Sequence, residues 1–123
     1  MQVIQVVGRI FLSTIFLIEG MNKIFNYEST IEYMENFNVP DYLAIPAIIV
    51  EILFPLLLIV GYQTKISALV LAIFTLATAL IFHTDFTNQM QLTSFLKNFA
   101  IAGGFLIIFV NGAGKYSIDN KLN

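Results

Sequence analysis

The residues able to do chemistry in this chain are few, and most of them interrupt apolar stretches. Arg9, Glu19 and Lys23 fall within RIFLSTIFLIEGMNK. Glu51 separates AIPAIIV from ILFPLLLIV, His83 follows ATALIF, and Lys97 and Asn98 lie in FLKNFAIAGGFLI. An ionisable group at membrane depth is costly, so by default it marks a functional site with partners to be found. Such a set offers proton exchange at a carboxylate, and stabilisation of a substrate oxygen by lysine, histidine or asparagine.

Spacing sharpens the set. Glu19 and Lys23 are one helical turn apart and share a face, with Glu first, the favourable order for a pair. Glu51 has no neutralising neighbour within its own stretch, and Pro55 four residues later cannot donate to its carbonyl and crowds it. Irregular backbone at depth is tolerated where it lines a cavity or is buried in protein. Glu19, Lys23, Glu51 and Lys97 fall in one half of the membrane, with charges that cancel, and His83 sits at their rim. Glu51 and Glu19 are therefore the candidate catalytic, proton-exchanging residues. Lys23, His83, Lys97 and Asn98 are the candidate substrate-binding residues. Each has a plainer alternative: a structural Glu19–Lys23 pair, a span-end histidine, a snorkelling Lys97, and an asparagine that glues helices. Arg9 stands alone in the other half, near enough to the boundary to snorkel, and reads as a topology anchor.

Composition sets the frame for these residues. The chain has 123 residues, 58% hydrophobic and 11% charged, which places it in the membrane class. It has no cysteine, which removes disulfides, thiolate metal sites and iron–sulfur clusters. A single histidine argues against a protein-ligated metal, and no metal site is expected. The net charge of −2 with no basic run argues against nucleic acid as a partner. The N-terminus lacks the basic cluster and small-residue cleavage site of a removable signal peptide, so the first span is expected to stay.

The elements that must position the charges are helices. Spans are expected over 4–25, 43–60, 66–83 and 93–111, each near the ~20 residues needed to cross a bilayer. Inside lipid the backbone must satisfy itself, which favours helices over open strands. The fold class expected is an all-α integral membrane four-helix bundle, one unit over 1–123. A short interfacial helix, Ser29 to Phe37, stands between spans one and two and ends at Val39-Pro40. Asp41 is expected to cap the second span and Gly61 to end it as a C′ residue. Gly103, Gly104, Ser67, Ala68, Ala72 and Ala79 suit close helix approach, and Thr75 and Thr78 can bond their own helix's carbonyls. Gly112-Ala113-Gly114-Lys115 superficially resembles a phosphate loop but lacks its first glycine, its Ser/Thr and its preceding strand. Arg9, Lys65, Lys115 and Lys121 gather on the terminal side, which predicts a multi-pass protein of the cytoplasmic (inner) membrane with both termini in the cytoplasm.

From Gly8 to Ile24 (GRIFLSTIFLIEGMNKI), Glu51 to Leu69 (EILFPLLLIVGYQTKISAL), His83, Phe95 to Ile107 (FLKNFAIAGGFLI) and Gly112 to Asp119 (GAGKYSID), the chain resembles the DoxX family of small four-span membrane proteins. The matching positions are Arg9, Gly20, Lys23, Glu51, Gly61, His83, Lys97, Asn98 and Ser117-Ile118-Asp119. The resemblance implies one of several roles. Some relatives are subunits of a thiosulfate:quinone oxidoreductase, some organise oxidative-stress complexes with a superoxide dismutase and a sulfurtransferase, and some accompany catechol and quinone detoxification. Family membership alone does not establish catalysis.

Three functions compete. The first is a subunit or accessory of a quinone-linked oxidoreductase or of an oxidative-stress or detoxification system. A quinone is then the candidate cofactor, and electrons come from a partner or bound cofactor. The second is a non-catalytic membrane scaffold or assembly protein. The third is a small proton-coupled transporter. The candidate partners are the lipid bilayer, a soluble redox protein and a second copy of the chain.

Overall fold

Four helices of the computed structural model are long and apolar enough to cross a membrane. The structure describes residues 2–122. Helix α1 is Gln2–Phe25, α2 is Tyr27–Asn36, α3 is Ala44–Val60, α4 is Thr64–Phe82, α5 is Gln89–Asn111 and α6 is Ile118–Leu122. No strand occurs among the described residues. The chain is an all-α integral membrane four-helix bundle, with α1, α3, α4 and α5 as its spans.

The spans follow one another around the bundle. α1 packs along α3, α3 along α4, and α4 along α5, whereas α5 meets α1 only sparsely. The centre is filled by Phe16, Leu58, Leu71 and Phe105 with the small residues Ala68, Ala72 and Ala102. The Phe16 and Phe105 rings lie 5.5 Å apart at the α1–α5 contact. Small residues let backbones close in, as membrane packing requires. Ser67, Ala68, Ala72 and Ala79 are all buried. Gly104 faces Leu12, where an added Cβ would sit 3.4 Å from its methyls, but Gly103 faces nothing within 4 Å. The expectation of close approach at Gly103 is thus corrected.

Caps account for the other boundary differences. α5 begins at Gln89, four residues ahead of the expected Thr93, because Asn88 Oδ1 accepts from the backbone N–H of Met90 at 2.9 Å. Asp41 does not cap α3. It opens a 3₁₀ turn, Asp41–Leu43, and Leu43 precedes the helix with no side-chain cap bond. The interfacial helix is present as α2, and it ends where Asn38 turns left-handed before Pro40.

Gly61 ends α3 as expected. Its φ of 75° is left-handed, and Tyr62 N–H bonds Leu57 O at 2.9 Å while Gly61 N–H reaches Leu58 O at 3.2 Å. That double bond pattern is a Schellman cap. The N-terminus of α4 is capped from afar. Asp119 of α6 accepts from Gln63 N–H and Thr64 N–H, each at 2.8 Å. A carboxylate there also meets the positive end of the helix dipole.

Arg9 belongs to this end of the molecule, and the snorkelling expectation is overturned. Its side chain is 2% exposed. Nη1 donates to Leu58 O at 3.1 Å and Nη2 to Tyr116 O, joining α1 to the end of α3 and to the C-terminal tail. A guanidinium can satisfy two carbonyls in different directions, where an ammonium acts as a point charge.

Candidate functional site

The site is built at the opposite end, where α2 connects α1 to α3. Gly20 of α1 is buried against α3 so closely that a Cβ would lie 2.7 Å from Ile52 Cγ1 and 3.3 Å from Glu51 Cβ. The absent side chain brings the two helices together. Lys23, three residues on and near the same face, then reaches across. Its Nζ lies 2.8 Å from Glu51 Oε1 and 2.8 Å from Oε2. This is the one ion pair among the described residues. The alternative of a Glu19–Lys23 pair within α1 is therefore corrected: Lys23 neutralises Glu51 of α3 instead. α3 runs helically through Pro55, which is buried four residues beyond Glu51.

Above the pair lies a cavity of about 820 Å³. Glu19, Lys23, Glu51, His83, Lys97 and Asn98 all line it. The structure thus brings every candidate site residue to one cavity, but it does not join them into one ionic cluster. Glu19 and Lys97 are exposed and form no ion pair among the described residues. His83 closes α4 and its Nδ1 lies 3.3 Å from Gln91 Oε1. Asn98 donates to Thr78 Oγ1 at 3.4 Å, a weak link between α5 and α4. Thr78 and Thr75 donate to carbonyls of their own helix, at 2.9 Å and 2.6 Å. The plainer expectation for Asn98, gluing two helices, describes its contact.

Most wall residues had no place in the sequence-based candidate set, among them three that shape the site. Tyr33 and Met34 come from α2, and Asn22 comes from α1. α2 lies across the cavity as a roof. The Tyr33 ring stacks on Phe82 at 5.2 Å, and Phe37 meets Phe82 edge-on at 5.1 Å. Burial pushes the Tyr33 phenol up from its ordinary pKa, and the Glu19 charge adds to the effect. The signal available in the sequence was the one-turn spacing of Tyr33 and Phe37 on an otherwise acidic helix.

Chemically, the cavity offers apolar and aromatic walls, an acceptor at Glu19, a cation at Lys97, and imidazole and amide groups at its rim. The remaining charged residues, Lys23 and Glu51, compensate one another. Among the described residues no group of three or more His, Asp or Glu could hold a metal ion.

Four spans around a partly charged cavity define a small multi-pass membrane protein. The chain belongs to the DoxX family, whose model, described as DoxX, matches residues 4–84. It is similar to "Inner membrane protein YqjF" of Escherichia coli (strain K12), 39% identical over 117 residues that cover 95% of this chain and 90% of that protein. It is also similar to "Inner membrane protein YphA" of the same organism, 32% identical over 126 residues, covering 97% and 90%. No solved structure matches the chain significantly.

Proposed function

We propose that this protein is an inner-membrane subunit or accessory of a quinone-linked oxidoreductase or of an oxidative-stress or detoxification system, and that the cavity receives a quinone-like ring. One observation carries the reading: apolar and aromatic walls line a half-open cavity of about 820 Å³ together with opposite charges on Glu19 and Lys97 that no ion pair among the described residues consumes. Ligand sites are mostly apolar with a few placed polar groups, and this cavity has that character. A ring with two oxygens fits the donor set. In this reading Lys97 and His83 bond an oxygen, and Glu19 exchanges a proton. Glu51 holds Lys23 in place and is the second proton-exchanging carboxylate. The basic residues of the terminal side support a cytoplasmic location for it, and with that orientation the cavity lies in the outer half.

Calorimetry with a quinone analogue on the purified protein tests the reading. Binding that weakens in Lys97→Met and Glu19→Gln is expected. No binding to the wild-type protein sinks it.

The Lys23–Glu51 pair favours a second reading. A carboxylate engaged through both oxygens, joining two helices, is what a register lock in a non-catalytic scaffold requires. In that case Glu51→Gln lowers cellular stress resistance only as far as it weakens complex assembly. Lost resistance with normal assembly argues against the scaffold.

A further inference from the structure

The cavity is walled on three sides and roofed. α1 closes on α3 at Gly20, α3 packs along α4, and α4 packs along the length of α5. The roof is α2, held by its aromatic contacts to Phe82. The fourth side, between α1 and α5, is different. The two helices meet sparsely, with Phe16 against Phe105 and Leu12 beside Gly104. On one side of that contact the seam opens into the large cavity. On the other it leaves a groove of about 240 Å³, again between α1 and α5. The seam is therefore underpacked towards both ends.

Both helices bordering the seam are spans, so what the seam faces at depth is hydrocarbon. Glu19 on α1 and Lys97 on α5 line the cavity and are exposed on either side of it, without an ionic partner among the described residues. Charges left exposed at a lipid-facing gap are costly unless something polar comes to them.

We propose that the α1–α5 seam is a lateral portal to the bilayer, admitting a membrane-dissolved ring compound whose polar head sits between Glu19 and Lys97 while its hydrocarbon tail lies in the seam. The inference rests on the cavity reading above and narrows its ligand class. A water-soluble ligand would have to pass the α2 roof. A tailed one is already concentrated in the phase that the open side faces, and its tail fills a gap that side chains leave empty. The head then meets an acceptor and a cation, one from each helix, so that loading closes the bundle across its weakest side.

The absence of native cysteine and tryptophan makes the test clean. Asn22 of α1 and Ser94 of α5 both line the cavity, so Asn22→Cys and Ser94→Cys put one thiol on each helix bordering the seam, and bifunctional thiol reagents of graded length close it. In liposomes, loading is followed for a quinone analogue with a long alkyl tail and for its tail-less counterpart, before and after closure. Closure is expected to slow loading of the tailed compound by about tenfold or more and to change the other by less than about twofold, as a gate on one route does. Unchanged loading of the tailed compound, or equal slowing of both, overturns the portal while leaving the cavity reading standing. If neither compound binds before closure, the cavity reading falls, and the seam is decided separately. Ile101→Trp fluorescence quenched by acyl-chain-brominated lipid supports a seam open to the bilayer, and an unquenched signal overturns it.

Discussion

Lys23 of α1 and Glu51 of α3 are joined twice, with Nζ 2.8 Å from each carboxylate oxygen, but the two partners are unequally buried. The lysine side chain is 26% exposed and the glutamate 5%. Removing the lysine strands the more buried charge, whereas removing the glutamate leaves an ammonium that can swing towards the cavity. Lys23→Met should therefore cost about 2–4 kcal/mol and Glu51→Gln about 1–2 kcal/mol. The double variant should recover part of the Lys23→Met loss. Unfolding of the three variants in bicelles measures this. Equal single losses, or strict additivity, would count against the asymmetry.

That pair depends on Gly20. A methyl added there must displace Ile52, whose Cγ1 would lie 2.7 Å away. Gly20→Ala should destabilise the α1–α3 contact by about 1–3 kcal/mol, the usual cost of overpacking. Shortening the neighbour, in Gly20→Ala with Ile52→Ala, should return stability towards wild type. If the second substitution instead adds its own full loss, the helices do not meet at that point.

Much of this was legible from residue types alone, because lipid permits few backbones. The four spans, the interfacial helix and the left-handed Gly61 follow from apolar length, acidic amphipathic spacing and one glycine before a polar turn. The pairings were less legible. Glu19 and Lys23 have the ideal one-turn spacing, yet Lys23 finds Glu51, because a tight crossing at Gly20 offers a more buried carboxylate. Arg9 looked like an anchor, since nothing local predicts that the tail returns to it. The α4 cap was invisible for the same reason: its carboxylate lies 55 residues away, in Asp119. Contacts within one turn are encoded locally, and contacts across the bundle depend on which faces meet.

The roof rests on three rings. Tyr33 and Phe37 lie 5.0 Å apart and both contact Phe82 of α4. Phe82→Ala removes two aromatic contacts, worth about 1–3 kcal/mol together. Hydrogen exchange across residues 27–36 should speed up accordingly, while exchange in α3 and α4 stays unchanged. A uniform rise in all helices would mean that Phe82 supports the whole bundle rather than the roof.

Arg9 ties the far end together through Leu58 O and Tyr116 O. Lysine keeps the charge but cannot donate to both carbonyls with a planar fork. Arg9→Lys should lose one charged hydrogen bond, about 1.5–3 kcal/mol, and Arg9→Met more. Proteolysis of the tail after Gly112 should quicken in both variants. An Arg9→Lys protein as protected as wild type would show that charge alone holds the tail.

Asp119 gives the same clasp a pH dependence. Partial burial raises its carboxyl, but the hydrogen bonds from Thr64 and Gln63 and the charge of Arg9 together outweigh this, and the net shift is downward. A carboxylate whose folded pKa lies below its unfolded value adds stability that is fully present above the unfolded value. That stability is lost as pH falls through the folded one. The clasp should therefore hold throughout the neutral range and open as pH falls through the lowered folded value, uncovering the N-terminus of α4. In NMR spectra the Gln63 and Thr64 amide shifts should titrate together with a midpoint below ~3.9, the ordinary aspartate value. Asp119→Asn should abolish that titration and expose both amides at neutral pH. A midpoint at or above the ordinary value, or amides that stay protected in Asp119→Asn, would show that the α4 cap does not depend on the charged tail.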